Sequence, residues 1–104
     1  MRPEQLSADL IEVFRGANVS ELAGRWSSYP AQELLSLWQR SLEQEILRRQ
    51  TDNIATFPEI PARSLFAMHE VLGKAQGWIQ VPLQQALLWE DLFTRWQRMK
   101  PRAA

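Results

Sequence analysis

With 104 residues, of which 45% are hydrophobic and five are tryptophan, the chain is long enough for one compact core and too short for two independent domains. Twelve Lys and Arg balance twelve Asp and Glu, so no net charge attracts the chain to nucleic acid or anionic lipid. The absence of cysteine excludes disulfides, thiolate zinc sites and thiol nucleophiles, and a single histidine, His69, excludes most imidazole metal sites. Composition thus predicts a folded chain, and it names no function by itself.

The first third of the chain predicts two short helices. The first spans residues 4–15, because apolar side chains recur at helical spacing and a glycine follows them. These apolar side chains are Leu6, Leu10, Ile11, Val13 and Phe14. The second begins after a capping residue, either Asn18 or Ser20, continues to Trp26, and is ended by the segment 27–30.

The longest amphipathic pattern predicts a third helix over residues 31–50. Its apolar face consists of Leu34, Leu35, Trp38, Leu42 and Ile46. Pro30 suits a position in the first turn, because proline has no backbone N–H and the N–H groups of a first turn have no acceptor within the helix. Glu33 near the start, and Arg48 and Arg49 in the last turn, complement the helix dipole.

A connection over residues 51–61 interrupts the helical pattern. Pro58 and Pro61 forbid a continuous helix through it. Three apolar side chains in it are nevertheless expected to point into the bundle, and they are Ile54, Phe57 and Ile60. We therefore predict that the segment lies along the helices.

Two further helices follow, over residues 62–79 and 83–99, separated by Pro82. Gly73 and Gly77 weaken the first of these by about 1 kcal/mol each relative to Ala, and such glycines are typical of places where another helix comes close. The last helix is apolar over more than half its circumference, at Leu83, Leu87, Leu88, Trp89, Leu92, Phe93, Trp96 and Met99. Such a helix is either the centre of the bundle or has a partner on both sides. The prediction is an all-α bundle of about five helices.

Motifs that would support catalysis are missing from the sequence. No phosphate-binding loop is present, and His69-Glu70 lacks the second histidine of a metalloprotease helix, because Gly73 stands at that position. A histidine beside an apolar face is more often packed or half-exposed. Acid pairs such as Glu43 and Glu45 point in different directions on a helix. We therefore predict no catalytic residue, no cofactor and no metal.

Charge and tryptophan content favour contact with other proteins. Residues 1–60 carry nine acids and six bases, whereas residues 61–104 carry three acids and six bases. This polarity suits protein neighbours better than DNA. Tryptophan and arginine are also enriched at protein interfaces. Two other classes stay open at this point: a small helical DNA-binding or regulatory module, and a ligand-binding bundle with aromatic pocket walls.

Residues 64–73, SLFAMHEVLG, and residues 85–96, QALLWEDLFTRW, resemble the carboxyl-terminal domain of the bacterial DNA polymerase III delta prime subunit. That family closes with a helix in which a leucine pair precedes an acidic residue and a second hydrophobic run, and residues 87–93 are similar. The apolar and basic end of the third helix at residues 46–49, and the loop at residues 53–57, also look similar to the family.

The resemblance extends from about Leu6 to Met99 and implies a five-helix domain that has no catalytic residue. Such a domain joins the equivalent domains of the gamma or tau and delta subunits in a circular collar. The collar holds together the clamp loader that places the sliding clamp on primed DNA. Residues 1–104 would then form a single helical domain, the carboxyl-terminal part of a larger subunit. Direct contact with nucleic acid, membrane or a small-molecule substrate is not expected.

The breadth of the apolar faces suggests which side chains would meet other subunits. We predict Trp89, Phe93 and Trp96 on the last helix, and Trp38 on the third, as interface residues. A cytoplasmic location is expected, because the sequence has no apolar run of about 18 residues and no signal peptide behind Arg2.

Overall fold

The computed structural model describes residues 1–51, 55–78 and 85–99. Within these ranges the chain forms five α-helices and no strand. The helices are α1 (Pro3–Phe14), α2 (Val19–Trp26), α3 (Ala31–Gln50), α4 (Ala62–Trp78) and α5 (Gln85–Arg98). The predicted all-α class and the number of helices are confirmed.

Helix bounds agree closely with the predicted ones. The bounds of α3 coincide with the prediction, although Pro30 is its N-cap rather than a residue of its first turn. Pro3 is the first residue of α1, so this helix begins one residue earlier than predicted. The predicted ends at residues 79 and 83 lie outside the described residues, as does Leu83.

The end of α1 is fixed by backbone geometry at Gly16, whose φ of 103° is accessible to glycine at little cost. The Gly16 N–H donates to the Val13 carbonyl, and the Ala17 N–H donates to the Glu12 carbonyl, each at 3.0 Å. This pair of bonds is a Schellman motif, which satisfies carbonyls that the helix end leaves unpaired.

The start of α2 is capped by a side chain. Asn18 has an extended backbone conformation, and its Oδ1 accepts a hydrogen bond of 3.2 Å from the backbone N–H of Glu21. Of the two predicted caps, the structure therefore selects Asn18 rather than Ser20.

All five helices contribute to one hydrophobic core, and α5 lies at its centre. α5 packs against α1, α2 and α4, and its aromatic rings also reach α3, where the Phe93 and Trp38 centroids are 5.8 Å apart. α3 pairs mainly with α4, and α1 lies across α3 and α5. The width of the apolar stripe on α5 is thus explained by neighbours on several sides, as one of the two predicted alternatives required.

The segment between α3 and α4 is held against the bundle, as predicted. Phe57 and Ile60 are 4% and 1% exposed, whereas Ile54 lies outside the described residues. The fully buried Glu45 carboxylate accepts hydrogen bonds from the backbone N–H groups of Thr56, at 2.8 Å, and Phe57, at 2.5 Å. A buried carboxylate thereby satisfies backbone donors that the irregular segment would otherwise leave unpaired.

The two glycines of α4 behave differently from each other. A Cβ at Gly73 would lie 3.5 Å from the Gln39 side chain of α3, which agrees with a close approach of helices. A Cβ at Gly77 would meet no atom within 4 Å among the described residues. Among the described residues, a close helix is therefore found at Gly73 and not at Gly77.

Candidate interaction surface

A cluster of five aromatic side chains fills the centre of the bundle. Its members are Trp26, Trp38, Trp89, Phe93 and Trp96, and each is 0% exposed. Trp26 of α2 stands edge to face with Trp89 and Phe93 of α5, at centroid distances of 5.0 and 4.8 Å. Such pairs contribute about 0.5–1.5 kcal/mol each beyond the area that they bury. The cluster is therefore the main source of contact between α2, α3 and α5.

Two of the indole N–H groups in the cluster have hydrogen-bond partners. Trp26 Nε1 donates to Asp9 Oδ2 at 3.0 Å, and Trp96 Nε1 donates to the Leu10 carbonyl at 2.9 Å. Both bonds attach the cluster to α1. Asp9 is itself only 6% exposed, and Arg25 Nη2 lies 3.5 Å from its other oxygen. α1 is thus held by polar contacts as well as by its apolar face.

The side chains predicted to meet other subunits, Trp38, Trp89, Phe93 and Trp96, all belong to this buried cluster. The prediction of an interface rests on the breadth of the apolar faces, and packing inside the chain accounts for that breadth. Their burial corrects the prediction, because a side chain without exposed surface cannot contact a partner while the bundle keeps this packing. In this structure they are core residues.

Among the described residues, the large hydrophobic side chains that reach the surface are Leu47, Phe66, Trp78 and Leu87, which are 59%, 57%, 39% and 59% exposed. Leu87 belongs to the predicted apolar stripe of α5, although at 100° per residue it points away from Leu92 and Trp96. This difference in helical angle indicates from the sequence that Leu87 lies on the outer face of α5. These four side chains replace the buried ones as candidates for contact with another protein.

Polar contacts line the outer edge between α3 and α4. His69 Nε2 lies 2.8 Å from Glu43 Oε1, and Gln76 donates a hydrogen bond to Gln39. His69 is half-exposed, as the sequence favoured, and its ring connects two helices. Glu43 is exposed whereas Glu45 is fully buried, so these two acids do point in different directions.

An open groove of about 440 Å³ runs between α1, α3 and the segment that follows α3. Its walls include Ser7, Ser41, Gln44 and Arg48, and the Arg48 guanidinium donates to Thr56 Oγ1 at 2.5 Å. The groove is open to solvent and has both polar and apolar walls; Phe57 lines it, whereas the five-residue aromatic cluster does not. The cluster therefore forms a core and not the walls of this groove.

Within residues 1–51, 55–78 and 85–99, no three His, Asp or Glu side chains come close enough together to hold a metal ion. None of the helices in these ranges has the length and apolar character needed to cross a membrane.

Comparison with protein-family models finds no match for this chain, and comparisons with curated proteins and with solved structures find none either. The resemblance to the delta prime carboxyl-terminal domain therefore depends on the residues quoted for it.

Proposed function

We propose that the chain is a non-enzymatic assembly domain of the bacterial DNA polymerase III clamp loader, of the delta prime type. In this role it joins the gamma or tau and delta subunits in the collar. The observation that carries the proposal is the position of the family-like motif, residues 87–93, which supplies half of the central helix of a five-helix bundle. An all-helical bundle of this size is the architecture that the resemblance implies.

The leucine pair of this motif divides between two roles. Leu88 is 8% exposed and packs in the core, whereas Leu87 is 59% exposed on the outer face of α5. Charged side chains of both signs surround Leu87 along that face, at Glu90, Asp91, Arg95 and Arg98. An apolar side chain inside a charged rim is typical of a protein contact. We assign this face of α5 to the contact with a neighbouring collar subunit.

Reconstitution with purified gamma or tau and delta subunits tests the proposal. We expect the chain to co-elute with them in size-exclusion chromatography. Leu87→Ser should weaken the complex about tenfold, or about 1.4 kcal/mol, because the residues whose truncation costs most lie at the centre of an interface. The matched control is Leu47→Ser, which removes an equally exposed leucine from α3 and should leave the complex unchanged.

Two results contradict the proposal. One is a folded chain that does not join the purified subunits at all. The other is binding to duplex DNA that falls steeply with salt, which would favour the DNA-binding alternative instead. Thermal unfolding of each variant, recorded in parallel, separates loss of contact from loss of fold.

A further inference from the structure

The outer face of α4 carries a regular row of four exposed side chains at four-residue spacing: Phe66, Glu70, Lys74 and Trp78. Residues at this spacing form a continuous ridge on a helix surface. Phe66 is 57% and Trp78 39% exposed, and the Glu70 and Lys74 side chains are 72% and 70% exposed. Glu70 Oε1 and Lys74 Nζ are 3.6 Å apart. We call this row the α4 ridge.

The order of residue types along the α4 ridge is aromatic, acidic, basic, aromatic. Read in the opposite direction, the order is aromatic, basic, acidic, aromatic, so each acid lies opposite a base and each aromatic residue opposite an aromatic one. If two copies of α4 run antiparallel about a two-fold axis between Glu70 and Lys74, each acid faces the base of the other copy. Phe66 of each copy then faces Trp78 of the other. A parallel arrangement would instead place like charges opposite each other, which is unfavourable.

The surface beside the α4 ridge can receive such a partner. Gly73 and Gly77 form the neighbouring row: a Cβ at Gly73 would lie 3.5 Å from the Gln39 side chain of α3, whereas a Cβ at Gly77 would meet no described atom within 4 Å. The missing side chain at Gly77 leaves room beside Trp78 at one end of the ridge, where a second helix can come close.

We propose that a second copy of this chain docks on the α4 ridge, in an antiparallel, two-fold symmetric contact. The occupant is a second copy because the acid and the base of the α4 ridge match those of another α4 ridge that runs in the opposite direction. A contact with an unrelated protein would not need this symmetry. The zero net charge of the chain adds no repulsion between copies. The inference does not depend on the proposed clamp-loader function, since Leu87 lies on α5 and the ridge lies on α4.

A contact made mainly by one helix from each copy buries less than the 1,200–2,000 Å² or so of a standard stable interface. We therefore expect a weak dimer, with a dissociation constant of about 10⁻⁵ to 10⁻³ M. Sedimentation equilibrium over a range of concentrations measures this constant directly.

Removal of the aromatic ends tests the contact. Phe66→Ser and Trp78→Ser should each raise the dissociation constant about tenfold or more, which corresponds to about 1.4 kcal/mol. Leu47→Ser and Leu87→Ser are matched controls, because both leucines are 59% exposed and lie off the ridge. They should leave the dissociation constant unchanged, and thermal unfolding should show that all four variants fold.

Charge exchange tests the antiparallel arrangement. Glu70→Lys and Lys74→Glu should each weaken the dimer, because each places four like charges at the contact. The double variant carrying both changes should restore it, since base again faces acid. A mixture of the two single variants should associate more tightly than either alone. If Glu70 and Lys74 interacted only within one helix, the mixture of single variants would not associate more tightly than either variant alone.

Three results would overturn the proposal. The first is a chain that stays monomeric at about 1 mM, a concentration at which a dimer of the expected strength is populated. The second is a dimer that Leu87→Ser disrupts and that Phe66→Ser and Trp78→Ser leave intact. The third is an α4 ridge that a different protein covers while the chain itself shows no self-association.

Discussion

Two buried acids connect parts of the chain that the hydrophobic pattern alone does not join. Asp9 accepts a hydrogen bond from the Trp26 indole and so connects α1 to α2. Glu45 accepts two backbone hydrogen bonds from the segment after α3, and Arg49 Nη2 lies 3.5 Å from one of its oxygens. Burial of a carboxylate is unfavourable unless donors surround it, and both side chains meet that condition.

Glu45→Gln should destabilise the chain by about 1–3 kcal/mol, because an amide offers one acceptor oxygen where the carboxylate offers two, and a backbone N–H loses its partner. Urea denaturation measures the change in the free energy of unfolding. Faster hydrogen exchange at the Thr56 and Phe57 amides should accompany it.

The control for this substitution is Glu33→Gln, which alters an exposed acid on the same helix and should change stability by no more than about 0.5 kcal/mol. If the two variants lose the same stability, then the Glu45 hydrogen bonds do not hold the segment in place.

At the scale of helices, local chemistry sets where each one begins and ends. Asn18 caps α2, a proline begins α1, and Gly16 ends α1 with a backbone conformation that other residues rarely adopt. These signals involve neighbours in sequence only, so the bounds could be predicted from the residues. Glycine stabilises the end of α1 at Gly16, whereas inside a helix, as at Gly24 in α2, it is less stable than alanine.

Substitutions at these two glycines should change stability in opposite directions. Gly16→Ala should lower the free energy of unfolding by about 1 kcal/mol or more, because the positive φ strains a Cβ. Gly24→Ala should raise it by about 0.5–1 kcal/mol, since a Cβ there meets no described atom within 4 Å and alanine favours the helix. Thermal unfolding monitored by circular dichroism measures both, and changes of the same sign would contradict this explanation.

At the scale of the whole molecule, the arrangement of helices around α5 separates core residues from surface residues. Trp89 and Phe93 lie at the centre of this arrangement, whereas Phe66 and Leu87 lie on its outside. Each is a large apolar residue in a helical stripe, so residue type does not distinguish the two groups. Their different positions predict different effects on stability.

Phe93→Ala should destabilise the chain by about 3–5 kcal/mol, because it leaves a cavity inside the aromatic cluster. Phe66→Ala, which removes the same side chain from an exposed position, should change stability by no more than about 0.5 kcal/mol. Chemical denaturation of the two variants side by side makes the comparison. Loss of subunit assembly in Phe93→Ala without loss of stability would restore the prediction of an interface at Phe93.

Residue spacing along the chain predicts the helices and most of their ends, because these depend on contacts between near neighbours. The burial of Phe57 and Ile60, which lie outside the helices, follows from their apolar type in a segment held between α3 and α4. The exposure of Leu87 on the outer face of α5 also agrees with its helical angle.

Which apolar faces are covered depends on how the helices pack against one another. Periodicity gives the angle of a side chain about its own helix, but it does not give the number of helices that surround that helix. For α5 that number is large enough to bury Trp89, Phe93 and Trp96 completely. For α4 it is smaller among the described residues, so Phe66 and Trp78 remain exposed there, and long-range packing rather than periodicity sets this difference.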